Sequence, residues 1–406
     1  MRLHRNLVLA SVEALEAIFN QGKQADKVLH RTLKQDKRWG ARDRAFIAET
    51  TYDIVRWKRL YQEIAGLKEP FTERSLFKLF AVWATQREIR LPDWKEFEGI
   101  PIKPIKQGLK NPPQKRAIKA SIPDWMDELG YAELGKQWET ELRALNEQAQ
   151  VILRVNPEKI DRTALIAQLK KEGIETSPLE GLPLAIVLAE RKNVFATEAF
   201  KSGLFEVQDG ASQMVAPMLQ AAPGQCVIDA CAGAGGKALH LAALMENKGQ
   251  LIALDIYPQK LQELKRRARR NGLHNIETRL IDSTRVIKKL KGRADSLLID
   301  APCTGLGVLR RNPDSKWKLQ PEFVDNIRAT QQELLQSYGK MVKEGGALVY
   351  ATCSILPSEN ELQVKTFLES EAGAGFTLAE QKNILPSETG LDGFYMARMT
   401  KTATGK

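Results

Sequence analysis

From about Asp209 to Thr400 the chain alternates short apolar, β-branched runs with helical stretches, and nothing else in it restricts the fold so strongly. The runs are CVIDA (226–230), LIALDI (251–256), ETRLID (277–282), SLLIDA (296–301), ALVYAT (347–352) and DGFYMARMT (392–400). Helical patterns fall between them at 259–271, 322–342 and 359–368, with a shorter one after 282. Most of the runs are apolar throughout, as in strands covered on both faces. This order predicts an α/β domain with a mainly parallel, doubly wound sheet, whose ligands lie outside the carboxyl ends of the strands.

Two smaller regions come first. Apolar positions at helical spacing (Leu7, Val8, Val12, Leu15, Ile18, Phe19, then 25–33 and 43–55) predict an all-α module with a basic surface, spanning residues 1–145. That surface is either a solvated charge face or an RNA-facing one. Within the module, 91–123 interleaves six prolines with lysines and arginines; proline at this density argues for an irregular basic connector. Helical pattern resumes from Trp125 to Gln148. Then VILRVNPEKIDRTALIAQLKKEGI (151–174) reads as strand, turn, helix and glycine stop, LPLAIVLA (182–189) as a strand, and FKSGLFEVQ (200–208) as holding another. A compact α+β subdomain is expected over 146–208, followed by the α/β domain over 209–406.

With 406 residues the chain has room for two or three domains. A formal net charge of +11 favours a polyanionic partner over mere solubility, because clustered cations release counterions from a phosphate backbone. The four cysteines (Cys226, Cys231, Cys303, Cys353) include no CxxC pair and no histidines at ligand spacing. No zinc site or other metal and no disulfide framework is expected, and the compartment is read as reducing, hence cytoplasmic. The opening MRLHRNLVLASVEAL is basic and then apolar, but Glu13 and Glu16 interrupt the run and no small-residue cleavage site follows, so an amphipathic helix is expected. No run is long enough to span a bilayer. A monomer is expected.

The turn from Asp229 through Cys231, Ala232, Gly233, Gly235 and Gly236 to Lys237 joins a strand to a helix, and its glycines let backbone N–H groups approach a ligand closely. Dinucleotide, ATP and S-adenosylmethionine sites share such a turn, and the Walker spacing is absent. Asp255 ends the next strand, about twenty residues on, where a carboxylate can accept ribose hydroxyls. Asp282 ends the third, placed to meet an adenine amino group. The series favours an adenosyl cofactor, and without a second mononucleotide half S-adenosyl-L-methionine fits better than NAD; singly, each acid could simply cap a helix.

Cys303, in LLIDAPCTGLGVLRR (297–311), and Cys353, in ALVYATCSI (347–355), both sit just past a predicted strand. A cysteine there is either small buried filler or chemical. The two motifs, Asp300-Ala-Pro-Cys303 with the following Arg310, Arg311, Pro313 and Trp317, and Tyr350-Ala-Thr-Cys353-Ser354 with Pro357, Glu359, Asn360 and Glu361, resemble signatures of the RNA 5-methylcytosine methyltransferases of the Sun family. The glycine turn resembles that family's cofactor motif, VQDGASQMV (207–215) the segment before its first strand, LRVNPEK (153–159) the opening of its RNA-binding subdomain, and DGFYMAR its last motif. The first sixty residues resemble the NusB-type helical domain carried by the family's small-subunit ribosomal RNA methylases, from which the proline-rich segment departs. The cofactor turn departs as well, with Ala234 where the family often has proline and Ala238 where it often has threonine.

The resemblance implies a Rossmann-like methyltransferase domain using S-adenosyl-L-methionine, bound by Asp229, the 231–237 turn, Asp255, Asp282 and Asp300, to methylate cytosine C5 in RNA. It implies that Cys353 attacks C6, turning the ring into an enamine-like species, and that Cys303 assists removal of the C5 proton and release of the enzyme. Asp300 would bond the ring at N3, Lys237 would contact the cytosine carbonyl or lower a thiol pKa, and Arg310 and Arg311 would hold phosphates near a flipped base. Small-subunit ribosomal RNA is the expected substrate. The alternatives are transfer RNA, or a non-catalytic ribosome-assembly factor on the same fold, which would be expected to have lost a cysteine, Asp300 or a cofactor acid; all are present.

Overall fold

The protein is described by a computed structural model over residues 2–402 and divides into two compact units. One comprises the chain up to Glu147 together with Leu309–Pro321; the other comprises Gln148–Val308 and the chain from Glu322 onward.

The first unit is helical. Helices Arg5–Phe19, Ala25–Thr32, Ala41–Arg56, Lys58–Ile64 and Glu73–Gln86 bury Leu15, Ile47, Ile54, Tyr61 and Phe80 in one core. Thr72 starts Glu73–Gln86 by accepting the Ser75 N–H at 3.2 Å, the usual way a helix satisfies an orphan donor. The segment expected to be irregular holds two helices, Ile102–Lys110 and Arg116–Lys119. Pro104 is compatible with the first because it falls in the opening turn, where an N–H would have no intrahelical partner. Helices Asp124–Leu134 and Gln137–Asn146 follow, separated at Gly135, whose φ of +57° suits glycine.

Leu309–Pro321 completes this unit although it follows the Cys303 loop in sequence. Trp317 donates its indole N–H to the Val55 carbonyl at 2.8 Å, and the Asp314 carboxylate accepts the Ala25 N–H at 3.0 Å. Lys316 is 1% exposed and donates to the Arg56 carbonyl at 3.3 Å and to the Asn146 amide oxygen. Burial, and then the charge of Arg56, push its pKa well down.

The second unit contains two sheets. Strands β1 (Ile152–Val155), β2 (Thr176–Pro178), β3 (Ala185–Leu188) and β4 (Phe205–Val207) form an antiparallel sheet in the order β2-β3-β1-β4. Helix Arg162–Lys171 buries Leu165 and Leu169 in the same core as Leu153 and Val155. The larger sheet uses β5 (Cys226–Asp229), β6 (Gln250–Asp255), β7 (Ile276–Leu280), β8 (Ala294–Asp300), β9 (Val342–Thr352), β10 (Phe376–Ile384) and β11 (Phe394–Lys401), ordered β7-β6-β5-β8-β9-β11-β10. β5 to β9 are parallel; beyond them β11 runs antiparallel to β9, and β10 antiparallel to β11.

Successive residues of β8 serve opposite cores: Leu298 packs with helices 210–218 and 236–244, while Leu297 and Ile299 pack with 321–338 and 361–369. Strands covered on both faces are why these runs are apolar throughout. The strand order reverses at β5, so the carboxyl ends of β5, β6, β8 and β9 converge where an open α/β sheet places its ligands. Among the described residues no helix is long and apolar enough to cross a membrane.

Candidate active site

At that edge the two cysteines meet. Asp300 pairs in register with Ala351, so the loops leaving β8 and β9 start side by side and bring the Sγ atoms of Cys303 and Cys353 to 3.3 Å. Gly307 lies beneath them: its N–H donates to the Cys353 carbonyl at 3.0 Å, and its own carbonyl accepts the Gly393 N–H at 2.8 Å. The close approach needs glycine at both positions, since a Cβ on Gly307 would stand 2.1 Å from the Gly393 oxygen, and one on Gly393 would stand 2.8 Å from the Gly307 Cα.

Lys237, from the start of the helix after the glycine turn, reaches the Asp300 carboxylate at 2.6 Å with only 11% of its side chain exposed. Its ammonium also lies 5.2 Å from the centre of the Phe394 ring. Burial works against the charged amine, but Asp300 outweighs it and the pKa moves up; Cys353 is a further neighbour that favours the positive charge. Around Cys303 the balance is the reverse. Its hydrogen bond with Cys353, then burial, then the nearby Glu359 carboxyl push its thiol well above the ordinary range.

The glycine turn lies a few residues away along the same edge. Asp255 organises it, accepting the Gly233 N–H on one oxygen and the Tyr257 N–H on the other, both at 2.8 Å. Each oxygen keeps a lone pair for a further donor. Two turn carbonyls are held by arginines: Arg267 donates to Ala234 and Arg154 to Gly236, each at 2.7 Å. Arg267 continues to Glu206 at 2.9 Å, and Glu206 also accepts from Arg270 and Asn271. Gly233 has φ of +55°, and a Cβ added there would meet nothing within 4 Å, so its backbone is open to a ligand.

Asp229 is the feature that calls for a ligand. It is 1% exposed, and neither carboxylate oxygen has a hydrogen-bond partner among the described residues; the Cys231 N–H is near enough to favour the charged form without completing a bond. Burial first and Asp300 second push its pKa up to about 7. An unsatisfied buried carboxylate beside an open glycine turn fits a ligand that brings its own cation. Cys231 is half-buried, and burial pushes its thiol up. Asp282 lies two residues past the end of β7, exposed, accepting the Ser283 hydroxyl at 3.0 Å. Among the described residues no three His, Cys, Asp or Glu side chains gather to hold a metal ion.

The structure thus gathers Asp229, the 231–237 turn, Asp255, Asp300, Cys303 and Cys353 along one sheet edge. Arg310 and Arg311 belong to the helical unit; Arg310 is 4% exposed and its carbonyl accepts from Arg56 at 2.7 Å. Sequence reasoning gave no role to Thr304, Gly307, Ser354 or Gly393, which shape the cysteine loops, nor to Arg154 and Glu206, which lie behind the cofactor turn. Glu359 was visible in the second cysteine motif, six residues past Cys353, but carried no role there.

A parallel sheet reversing at β5, with a glycine turn and an acid at the end of each neighbouring strand, defines a Rossmann-like methyltransferase fold. Residues 216–400 match the family described as 16S rRNA methyltransferase RsmB/F, and residues 122–195 match the Methyltr_RsmF/B-like ferredoxin-like domain. The chain is 35% identical over 298 residues to a probable ribosomal RNA small subunit methyltransferase B of Synechocystis sp., covering 69% of this chain and 67% of that one. It is 28% identical over 442 residues to ribosomal RNA small subunit methyltransferase B of Escherichia coli, covering 99% and 100%. The crystal structure of PH0851 superposes with a TM-score of 0.84 at 25% identity, covering 99% of this chain and 100% of that one. The chain belongs to the RsmB/F family of 16S rRNA methyltransferases.

Proposed function

We propose that the protein transfers a methyl group from S-adenosyl-L-methionine to C5 of a cytosine in small-subunit ribosomal RNA, through a covalent adduct between Cys353 and C6. The observation that carries the reading is the meeting of the two cysteines, Sγ to Sγ at 3.3 Å, at the sheet edge that also holds the Lys237–Asp300 ion pair. The hydrogen bond to Cys353, burial and Glu359 push the Cys303 thiol well up, which disfavours it as the attacking thiolate. The attacking group is Cys353, the cysteine of the second motif, to which the family resemblance assigns the nucleophile.

Cytosine C5 is a poor nucleophile until C6 carries an electron-rich substituent, which is what addition of Cys353 supplies. Lys237 occupies one oxygen of Asp300 and leaves the other for ring nitrogen N3 and the proton the two share as the ring gains electrons. Once Cys353 has bonded to carbon, its hydrogen bond no longer holds the Cys303 thiol up. Cys303 can then act as, or set up, the base that takes the C5 proton, after which the Cys353–C6 bond breaks with its electrons returning to sulfur.

S-adenosyl-L-methionine supplies an electrophilic methyl on a sulfonium. Asp229 would take its ammonium, which answers the unsatisfied carboxylate; the N–H groups of the 231–237 turn would face its carboxylate, Asp255 its ribose hydroxyls and Asp282 its adenine. The relatives' names, which specify small-subunit ribosomal RNA, support the substrate class.

Bisulfite sequencing of ribosomal and transfer RNA from a strain lacking the protein tests the proposal. A single cytosine of small-subunit ribosomal RNA is expected to lose its protection. A site lost only from transfer RNA would overturn the substrate, and no lost site in either pool would overturn the reaction.

A further inference from the structure

Beneath the cysteines lies a carboxyl group to which the reaction above gives no positioning role. Glu359 is 0% exposed and its two oxygens accept four hydrogen bonds. Thr304, the residue after Cys303, gives its N–H to Oε2 at 2.8 Å and its hydroxyl to Oε1. Ser354, the residue after Cys353, gives its hydroxyl to the same Oε1. Gln331, on the helix Pro321–Tyr338, gives its amide N–H to Oε2 at 3.1 Å and to the Pro302 carbonyl at 3.0 Å. Tyr350 of β9 secures the backbone beneath, donating its hydroxyl to the Glu359 carbonyl at 2.7 Å. Asn360 adds a second tie, accepting from the Thr352 hydroxyl at 2.6 Å and donating to the Ser354 carbonyl at 3.1 Å.

We propose that Glu359 is a positioning residue that couples the two cysteine loops and holds Cys303 and Cys353 at the separation the reaction needs. The proposal rests on the reading of the pair given under Proposed function, but its geometry is independent of it. The loops leave different strands, and the hydroxyls that follow the two cysteines meet on one oxygen. Removing the carboxyl leaves two buried N–H donors and two hydroxyls without their acceptor, and the loops lose the contact that ties each to the other. A glutamine can replace it: its carbonyl oxygen accepts the two N–H groups, and its amide donates to the Thr304 and Ser354 oxygens, which accept as readily as they donate.

The test uses the full chain and two readouts. One is steady-state methylation of small-subunit ribosomal RNA; the other is closure of the cysteine pair by diamide, which removes two electrons and two protons from the thiols to form the disulfide. Glu359→Ala is expected to lower kcat about a hundredfold with the RNA KM little changed, and to slow diamide closure in parallel. Glu359→Gln is expected to recover most of both losses. Thr304→Val, which keeps the volume and removes one donor, is expected to move both readouts in the same direction by less, and serves if Glu359→Ala does not fold. Unchanged kcat and closure rate in folded Glu359→Ala, or a loss confined to KM, would overturn the proposal. If the wild-type chain methylates no cytosine but Glu359→Ala still slows closure, the reaction is wrong and the positioning role stands.

Discussion

Gly307→Ala puts the largest structural consequence on the smallest change. The new Cβ would stand 2.1 Å from the Gly393 carbonyl oxygen, 2.7 Å from its carbon and 2.8 Å from the Cys353 carbonyl oxygen. All three are backbone atoms, so no side chain can swing aside, and one loop must retreat by about 1 Å to restore ordinary contact. Two effects compete. Replacing glycine at a permissible backbone angle stabilises by about 0.4–1 kcal/mol through the unfolded chain, whereas overfilling a packed site costs about 1–3 kcal/mol. Overfilling wins, and a net loss of about 1–2 kcal/mol is expected. The displacement falls on the backbone of Cys353, where a shift of about 1 Å costs on the order of a hundredfold in rate. Urea denaturation gives the first quantity and methylation kcat the second. Gly375→Ala is the control, since a Cβ there meets nothing within 4 Å. A Gly307→Ala variant as stable and as active as that control would refute the packing argument.

Three further outcomes follow from other parts of the molecule. Asp229 binds its proton more tightly folded than unfolded, with its pKa raised to about 7, so it favours the folded chain at acid pH and that contribution fades as pH rises toward 7. S-adenosyl-L-methionine needs the charged form, so its affinity by titration calorimetry is expected to fall up to about tenfold per pH unit below 7, and Asp229→Asn should flatten the profile. Arg267→Ala frees the Ala234 carbonyl and leaves Glu206 with fewer partners; cofactor affinity should drop about tenfold, by about 1–2 kcal/mol. Gly130→Ala drives a Cβ to 2.2 Å from the ring of Trp138, which is 0% exposed, and should lower the stability of the helical unit by about 1–3 kcal/mol in the same denaturation assay.

Strands β5, β6, β8 and β9 were legible because burial on both faces leaves an unmistakable apolar run. β10 was not, since only its ends, Phe376 and Ile384, are buried and its middle is polar. Helix Glu73–Gln86 escaped for the opposite reason: Leu76, Phe77 and all of 79–84 are buried, so no stripe marks a helical face. Proline density concealed Ile102–Lys110 because composition does not reveal that Pro104 falls in a first turn. The proximity of the cysteines needed only neighbouring strands, but the tie between them did not show: Glu359 bonds Thr304 across 55 residues, which no local pattern records. Nothing local marks Lys316 as buried; the fold places it against the Arg56 carbonyl and Asn146.

The most direct test of the account is to trap the covalent step. Cys303→Ala, incubated with small-subunit ribosomal RNA and S-adenosyl-L-methionine and digested with nuclease and protease, is expected to carry a nucleotide on the peptide containing Cys353. That species should survive denaturing electrophoresis and be missing from a Cys303→Ala, Cys353→Ala double variant. A nucleotide on any other residue, or full methylation by Cys353→Ala alone, would contradict the assignment of Cys353 as the attacking group.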